Sequence, residues 1–395
     1  MLIYMAPCGI GLGHASRTVA IAYALKRRGH EVVFSTYGEA VGYVRKHGFK
    51  VLGTFELEYV QDEKGGLDLR QTIAQGPKAI YRFIRQVGAE LYYTGILNPD
   101  VIVSDSRLSS SIAALARGIP SILIINQLLI IIPISEKTRE EYKIKAKSIA
   151  EKVILEFMAN IWRRSEKILI PDFPPPYTIS KKNLVLSEDL CDKMVFIGPL
   201  ISKYPEELPD KNELRKQLGL PMDKTIVLVC PSGTRKEKRA LSSAIVDIVR
   251  RINYEDIFFI ISRGDVFAES EFHMGKNYIV YGWLKDKFMY LKAADIVVAH
   301  GGHTTIAEAM YYGKPMILIP TTGHTERLSN SESVCEMGIG EIIRQEELTV
   351  ETFSNTLSKI LKSDNYFISS RRIMKEIGNF RGHEEAAKII EGLVR

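Results

Sequence analysis

Three stretches of this 395-residue chain carry residue types and spacings that suit group-transfer chemistry. The first is Gly9-Ile10-Gly11-Leu12-Gly13-His14. Glycines let the backbone turn sharply and bring its N–H groups against a phosphate. An imidazole at the start of the following helix could serve as a general base near neutral pH, or simply cap that helix. A dinucleotide fingerprint would need glycine at position 14 and an acid near Ser35 and Thr36, so no nicotinamide cofactor is expected. The second stretch is Val101-Ile102-Val103-Ser104-Asp105. The Asp105 carboxylate could orient His14 and stabilise its protonated form, or cap the next helix.

The third stretch is His300-Gly301-Gly302-His303-Thr304-Thr305-Ile306-Ala307-Glu308. Paired glycines ahead of a helix offer main-chain amides to a diphosphate, and the hydroxyls of Thr304 and Thr305 can donate to its oxygens. Glu308 stands three residues beyond Thr305, where a carboxylate could accept both hydroxyls of a ribose. His303 and His324 are candidates for a phosphate or sugar contact, or for satisfied loop histidines.

Elements that could position these residues alternate along the chain. Apolar strands are expected at 2–5, 31–36, 100–105, 120–125 and 167–171, with a helix from about Ala15 to Arg28. The alternation restarts at 225–230 and continues through DIFFIIS, NYIVYGW, 295–300 and 315–320. Apolar strands separated by helical patterns imply parallel βαβ units with both sheet faces covered. A proline-rich break begins at Pro171, and Pro205 and Pro209 follow a second polar stretch. The expected organisation is an N-terminal domain over 1–172, a linker over 173–205, a second domain over 206–380 and a closing helix over 381–395. In open α/β sheets ligands bind at the carboxyl ends of strands, and each of the three stretches ends or follows one.

Composition narrows the function further. At 46% hydrophobic and 25% charged residues the chain is of ordinary globular make-up. A net charge of +6 suits anionic small molecules or an anionic membrane surface, but no nucleic-acid motif accompanies it. Cys8, Cys191, Cys230 and Cys335 form no CxxC pair, so neither a disulfide framework nor a zinc site is expected. The chain shows neither a signal-peptide pattern nor an apolar run long enough to span a bilayer, which suggests a cytoplasmic location. The apolar run 127–134 beside the basic helical pattern of 136–167 suits a peripheral visit to the inner face of a membrane. A core strand edge with a solvated helix would look the same. The stretch 76–91 is a second basic amphipathic segment.

Beyond these stretches, Tyr281-Gly282-Trp283-Leu284 lies upstream of the third one, and Gly313-Lys314-Pro315, Pro320 and Glu326-Arg327-Leu328-Ser329-Asn330 lie downstream. With Gly11-Leu12-Gly13-His14-Ala15-Ser16-Arg17 at the other end, this order resembles the GT-B glycosyltransferases, in particular the MurG-type enzymes of family 28 and the UDP-glycosyltransferases. The resemblance implies two doubly wound, Rossmann-like α/β domains facing across a cleft. It also implies inverting transfer of a hexose such as GlcNAc from a UDP-sugar, with His14 and Asp105 catalytic. Trp283 and Leu284 would lie near uracil and Glu308 on the ribose. Ser232, Gly233, Thr234, His300, Gly301, Gly302, His303, Thr304 and Thr305 would surround the diphosphate. Glu326, Arg327 and Asn330 would stand at the donor sugar, where Arg327 departs from the family's glutamine. Gly11, Gly13, Arg17, Asn126 and Gln127 would line the acceptor side, and a lipid-linked acceptor is expected. The stretch SDSRLSSS at 104–111 replaces the glycine-rich loop of MurG-type enzymes, which weakens the case for a muramyl acceptor. The chain has no Asp-x-Asp sequence, so UDP-sugar is expected as co-substrate without a metal cofactor. A UDP-sugar epimerase or hydrolase, or a UDP-sugar-binding protein without turnover, would share most of these residues.

Overall fold

The computed structural model describes residues 1–56, 76–126, 149, 152–153, 156–184, 188–252, 254–268 and 272–393. The chain folds around two seven-stranded sheets. Strands β1 (Leu2–Pro7), β2 (Glu31–Thr36), β3 (Lys50–Gly53), β4 (Val101–Asp105), β5 (Ser121–Ile124), β6 (Lys167–Ile170) and β7 (Met194–Phe196) make the first. Their order is β3-β2-β1-β4-β5-β6-β7, and every pair is parallel. The central strands β1, β4 and β5 are buried along nearly their whole length, as strands covered on both faces must be.

The second sheet holds β8 (Thr225–Cys230), β9 (Ile257–Ser262), β10 (Phe272–Met274), β11 (Tyr278–Tyr281), β12 (Ile296–Ala299), β13 (Met316–Leu318) and β14 (Gly340–Ile342). Their order is β10-β11-β9-β8-β12-β13-β14, with β10 the antiparallel edge. In both sheets the strand order reverses beside the first strand, between β1 and β4 and between β8 and β12. Crossovers leave such a switch point on opposite faces, so a crevice opens at the strand ends there. The loop after β1 leads into His14 at the start of the next helix, and β4 ends at Asp105; the loops after β8 and β12 carry Ser232–Thr234 and Gly301–Gly302.

The strand Met194–Phe196 corrects the expected linker. Prolines on either side suggest a bridge between domains, yet these residues pair with β6 through Ile168↔Met194 and Ile170↔Phe196 and close the first sheet. The proline-rich stretch ahead of them is also ordered, because the buried Asp172 carboxylate accepts from the N–H groups of Phe173, Ile179 and Ser180 and from the Ser180 hydroxyl. A carboxylate that takes several N–H donors organises a loop without needing a repeated pattern.

Helix α1 (Gly13–Arg27) follows the first glycine loop, and the last helix, Gly382–Gly392, packs against it. Ala386, Ala387 and Ile390 enter the core of the first sheet, while Arg27 and Arg28 bond Glu384 and Arg28 and His30 bond Glu391. The chain therefore returns to its N-terminal half, held mainly by apolar burial, since exposed ion pairs contribute little. Ile390 is fully buried; Ile390→Ala should cost about 2–4 kcal/mol. It should be seen as a lower urea midpoint for the transition reported by the first sheet's aromatic residues.

Candidate active site

The Asp105 side chain is fully buried at the end of β4, and its main chain is tied to the first glycine loop by a bond from the Cys8 N–H, 3.0 Å. Ser106, next in line, has φ +53°, a left-handed turn that takes the chain abruptly away. His14 Nδ1 lies 2.9 Å from Asp105 Oδ1, and the ring is about one quarter exposed. Arg17, one turn further along α1, bonds Asp105 Oδ2 through Nε at 2.6 Å and Oδ1 through Nη2. Burial alone would raise the Asp105 pKa, but the charges and hydrogen bonds of Arg17 and His14 outweigh it and pull the group down to about 2. Arg17 Nη2 also lies 3.1 Å from His14 Nδ1. That separation follows from two donors converging on Asp105 Oδ1. With Nδ1–H so engaged, Nε2 is the nitrogen left to take a proton.

Arg17, expected on the acceptor side, is thus drawn into the interior. It is buried, committed to Asp105, and donates through Nη1 to Asn126 Oδ1 at 3.2 Å. Asn126 in turn approaches Glu326 Oε1 at 3.4 Å, which joins the dyad to a residue expected at the donor sugar. Gln127 lies outside the described residues.

On the opposite wall, α9 (His303–Tyr311) begins at Gly302 with no side-chain cap and no acid in its first turn. Its first N–H groups are therefore available to an anion, and the helix dipole favours negative charge there. Gly301 has φ +80°, and a Cβ there would meet Ser331 Oγ at 2.4 Å. Only glycine fits. A Cβ on Gly11 would come within 3.2 Å of Gly233 O, and one on Gly13 within 3.4 Å of Thr304 Oγ1. Gly11 and Gly13, expected on the acceptor side, therefore lie against the Ser232–Thr234 loop and the start of α9, beside which His14 stands.

His300, at the end of β12, is buried. Burial first, then the Arg327 charge, pushes its pKa down to about 3, so the ring is neutral at physiological pH. Nδ1 accepts from the Ser232 N–H at 3.1 Å, which leaves the proton on Nε2. Thr234 caps the helix Arg235–Arg251: its hydroxyl accepts from the Glu237 N–H, and Glu237 Oε2 accepts from the Thr234 N–H at 2.6 Å. Leu284 points into the core of the second sheet, so only its main chain faces the cleft side. Trp283 packs with the first half, its ring centroid 6.3 Å from that of Tyr43. Glu308 is buried and held by Lys287, at 2.6 Å from Oε1 and 2.8 Å from Oε2.

Three further residues expected at the donor are committed to partners within the chain. His303 is turned toward the linker, with Nε2 3.1 Å from Asp172 Oδ2. Arg327 donates to Glu237 at 2.8 Å and to Thr321 beneath the Ser232–Thr234 loop, where it neutralises a buried carboxylate. Asn330 is fully buried and donates to Gly301 O at 3.4 Å, shaping the glycine loop from below. The polar stretch 104–111 is packed as well: Arg107 pairs with buried Glu90, and Ser109–Ser111 are buried. Asp172, Glu237 and Lys287 went unread because each acts on a residue far away in sequence.

Two doubly wound halves, one carrying the histidine–aspartate pair and the other the glycine-rich helix start, have the layout of the GT-B fold, and the comparisons with known proteins agree. Residues 227–388 match the glycosyltransferase family 28 C-terminal domain, and residues 1–183 match glycosyl transferase family 1. An uncharacterized glycosyltransferase of Methanosarcina mazei is 29% identical over 99% of this chain and 98% of its own. The UDP-N-acetylglucosamine–N-acetylmuramyl-(pentapeptide) pyrophosphoryl-undecaprenol N-acetylglucosamine transferase of Caldicellulosiruptor saccharolyticus is 24% identical over 96% of this chain and 94% of its own. The spinosyn rhamnosyltransferase solved with thymidine diphosphate shares the fold at TM-score 0.66 and 14% identity, over 99% of this chain and 100% of that one. The chain belongs to the GT-B glycosyltransferase superfamily and is a glycosyltransferase.

The depressed Asp105 pKa makes a pH prediction. An acid whose folded pKa lies below its unfolded value of 3.8 stabilises the fold above that value and loses the contribution as pH falls toward 2. The shift corresponds to about 2 kcal/mol. Asp105→Asn should therefore be clearly less stable than the parent at pH 6. Urea titrations should show the gap narrowing as pH falls from 5 to 2.

Proposed function

We propose that this glycosyltransferase inverts the anomeric centre, takes its sugar from a UDP donor and delivers it to a lipid-linked acceptor, with His14 as base. The carrying observation is that Thr304 Oγ1, in the first turn of α9, faces Gly13, the residue directly before His14. A diphosphate on the α9 amides and a hydroxyl at His14 would then lie on the two sides of one anomeric carbon.

In this reaction the acceptor oxygen attacks that carbon, its proton passes to His14 Nε2, and the bond to the β-phosphate oxygen breaks. Asp105 stabilises the imidazolium that forms. The departing diphosphate gains charge against the α9 amides, the Thr304 and Thr305 hydroxyls and the neutral His300 Nε2–H, which are in place before the reaction. Charge stabilisation of this kind, together with the lack of an Asp-x-Asp sequence, supports a mechanism without a metal. The Glu326 carboxylate, paired with Asn126, is the polar group best placed for donor-sugar hydroxyls.

A lipid-linked acceptor is supported by the surface of the first half. Helix α3 (Gly76–Leu97) exposes Ile80, Ile84, Tyr92 and Ile96, each more than 60% accessible, at helical spacing beside Lys78 and Arg85. Nearby in the fold, Phe157 and Leu115 line an open cavity of about 620 Å³ with Arg163 and Arg164. Apolar side chains rimmed by cations fit an anionic membrane surface. No helix among the described residues is long and apolar enough to cross a membrane. The name of the Caldicellulosiruptor relative specifies a pyrophosphoryl-undecaprenol acceptor, which agrees with this reading at the inner face of the cell membrane.

UDP release from UDP-GlcNAc, UDP-Glc or UDP-Gal should require a membrane lipid extract. His14→Ala should lower it about 10²–10⁴-fold with UDP affinity unchanged, whereas Thr305→Ala should weaken UDP binding in a calorimetric titration. Unchanged affinity in Thr305→Ala would contradict the donor site. Ile84→Glu should leave the fold intact but reduce co-sedimentation with vesicles of phosphatidylglycerol, and equal sedimentation would contradict the membrane surface.

A further inference from the structure

We propose that Lys287 is the second half of the ribose subsite, and that Glu308 and Lys287 together select a ribonucleoside diphosphate over its 2′-deoxy counterpart. This rests on the donor-site reading above and specifies the class of nucleotide it takes.

Glu308 lies on α9, its side chain 5% exposed, with Lys287 reaching it from the first position of the helix Lys287–Ala293. That helix follows Trp283 and Leu284, so its lysine enters from the side where the base is expected. The ammonium contacts both carboxylate oxygens, at 2.6 and 2.8 Å, and so occupies the fork between them. A structural reason for the pair is clear, since a carboxylate this buried needs a neutralising partner. The pair nevertheless leaves a defined remainder.

A carboxylate offers about four acceptor positions and an ammonium three donors. The pair spends one N–H in its hydrogen bond to Oε2, with Oε1 in ion-pair contact, so acceptor positions on both oxygens and further N–H groups remain. A ribose presents the complement: two vicinal O–H donors, with hydroxyl oxygens that can accept. Glu308 would take both hydroxyl protons on its outer lone pairs, and Lys287 would donate a further N–H to a hydroxyl oxygen. A 2′-deoxyribose supplies one hydroxyl, so one acceptor position of a nearly dry carboxylate stays unfilled. Buried polar groups left unpaired cost more than the bond they would have made is worth. Sites built around a hydroxyl therefore reject the analogue lacking it. Lys287 sharpens this by confining the sugar to the outer lone pairs of a carboxylate that is itself 5% exposed, where the 3′-hydroxyl alone cannot satisfy both oxygens. The thymidine diphosphate bound in the spinosyn rhamnosyltransferase carries the deoxy sugar, so the proposal separates this chain from that structural neighbour.

Calorimetric titration of the full chain with UDP, 2′-deoxy-UDP and thymidine diphosphate tests the proposal. The parent protein should bind UDP about 10- to 100-fold more tightly than 2′-deoxy-UDP. Lys287→Met, which keeps the length of the side chain, should reduce that ratio at least about fivefold. Lys287→Gln, which retains a donor without the charge, should fall between, and it answers the question if the methionine variant does not fold. A parent protein that binds both nucleotides equally would overturn the proposal. So would a ratio that stays at the parent value in Lys287→Met or Lys287→Gln, since Lys287 would then only neutralise Glu308. These failures leave the donor site standing as long as Thr305→Ala still weakens UDP. If the parent does not bind UDP at all, the donor site falls and this proposal falls with it.

Discussion

A buried carboxylate shared between an arginine and a histidine sets the geometry on which the first half of the site depends. Asp105 sits at the last paired position of β4, opposite Pro7 of β1, and both of its oxygens point at α1. Arg17 supplies the charge that keeps it ionised in a fully buried place, and His14 takes the remaining donor position. Either bond alone would leave a choice of orientation; together they fix α1, the glycine loop and the imidazole as one unit. The cost of burying the charge is offset by pairing and hydrogen bonds from both neighbours. The same arrangement holds the imidazole by Nδ1 while about one quarter of its side chain stays exposed.

The second half mirrors this with main chain instead of side chains. Gly301 and Gly302 start α9 without a cap, and Asn330, Ser331 and Arg327 pack beneath them. The residues that look like ligand contacts are thus divided between two layers. Those at the surface of the cleft are Thr304, Thr305 and Glu326, with the buried Glu308 one turn beyond Thr304 on α9. Those below it hold the loop in shape. Both layers meet the first half at contacts that only small residues allow, Gly11 against Gly233 and Gly13 against Thr304, and at polar bridges such as Lys238 with Glu39.

The alternation of strands and helices and the two halves were legible because each depends on local pattern. The sequence offered Asp105 either as a partner of His14 or as a helix cap, and only the parallel pairing of β1 with β4 brings the two side chains together. Roles that depend on a partner distant in sequence were not legible. Arg17 reads as an acceptor contact until Asp105 is found beside it, and His303 reads as a phosphate contact until Asp172 is. Arg327 stands where a sugar contact is expected but is drawn inward by Glu237. The strand Met194–Phe196 was hidden by prolines on both sides, which mark a break in pattern without showing which sheet gains the strand. Lys287 left a faint signal: a lysine one turn past Trp283-Leu284, in a site otherwise expected to present only acceptors to a ribose.

The account turns on which nitrogen of His14 carries the proton, because Arg17 Nη2 also lies close enough to Nδ1 to compete with Asp105. Nitrogen-15 chemical shifts of the histidine side chains, assigned by the loss of one signal in His14→Gln, measure this directly. The neutral ring is expected to carry its proton on Nδ1, with Nε2 unprotonated. A proton on Nε2, with Nδ1 accepting from Arg17, would contradict it, because that tautomer presents no base to the cleft.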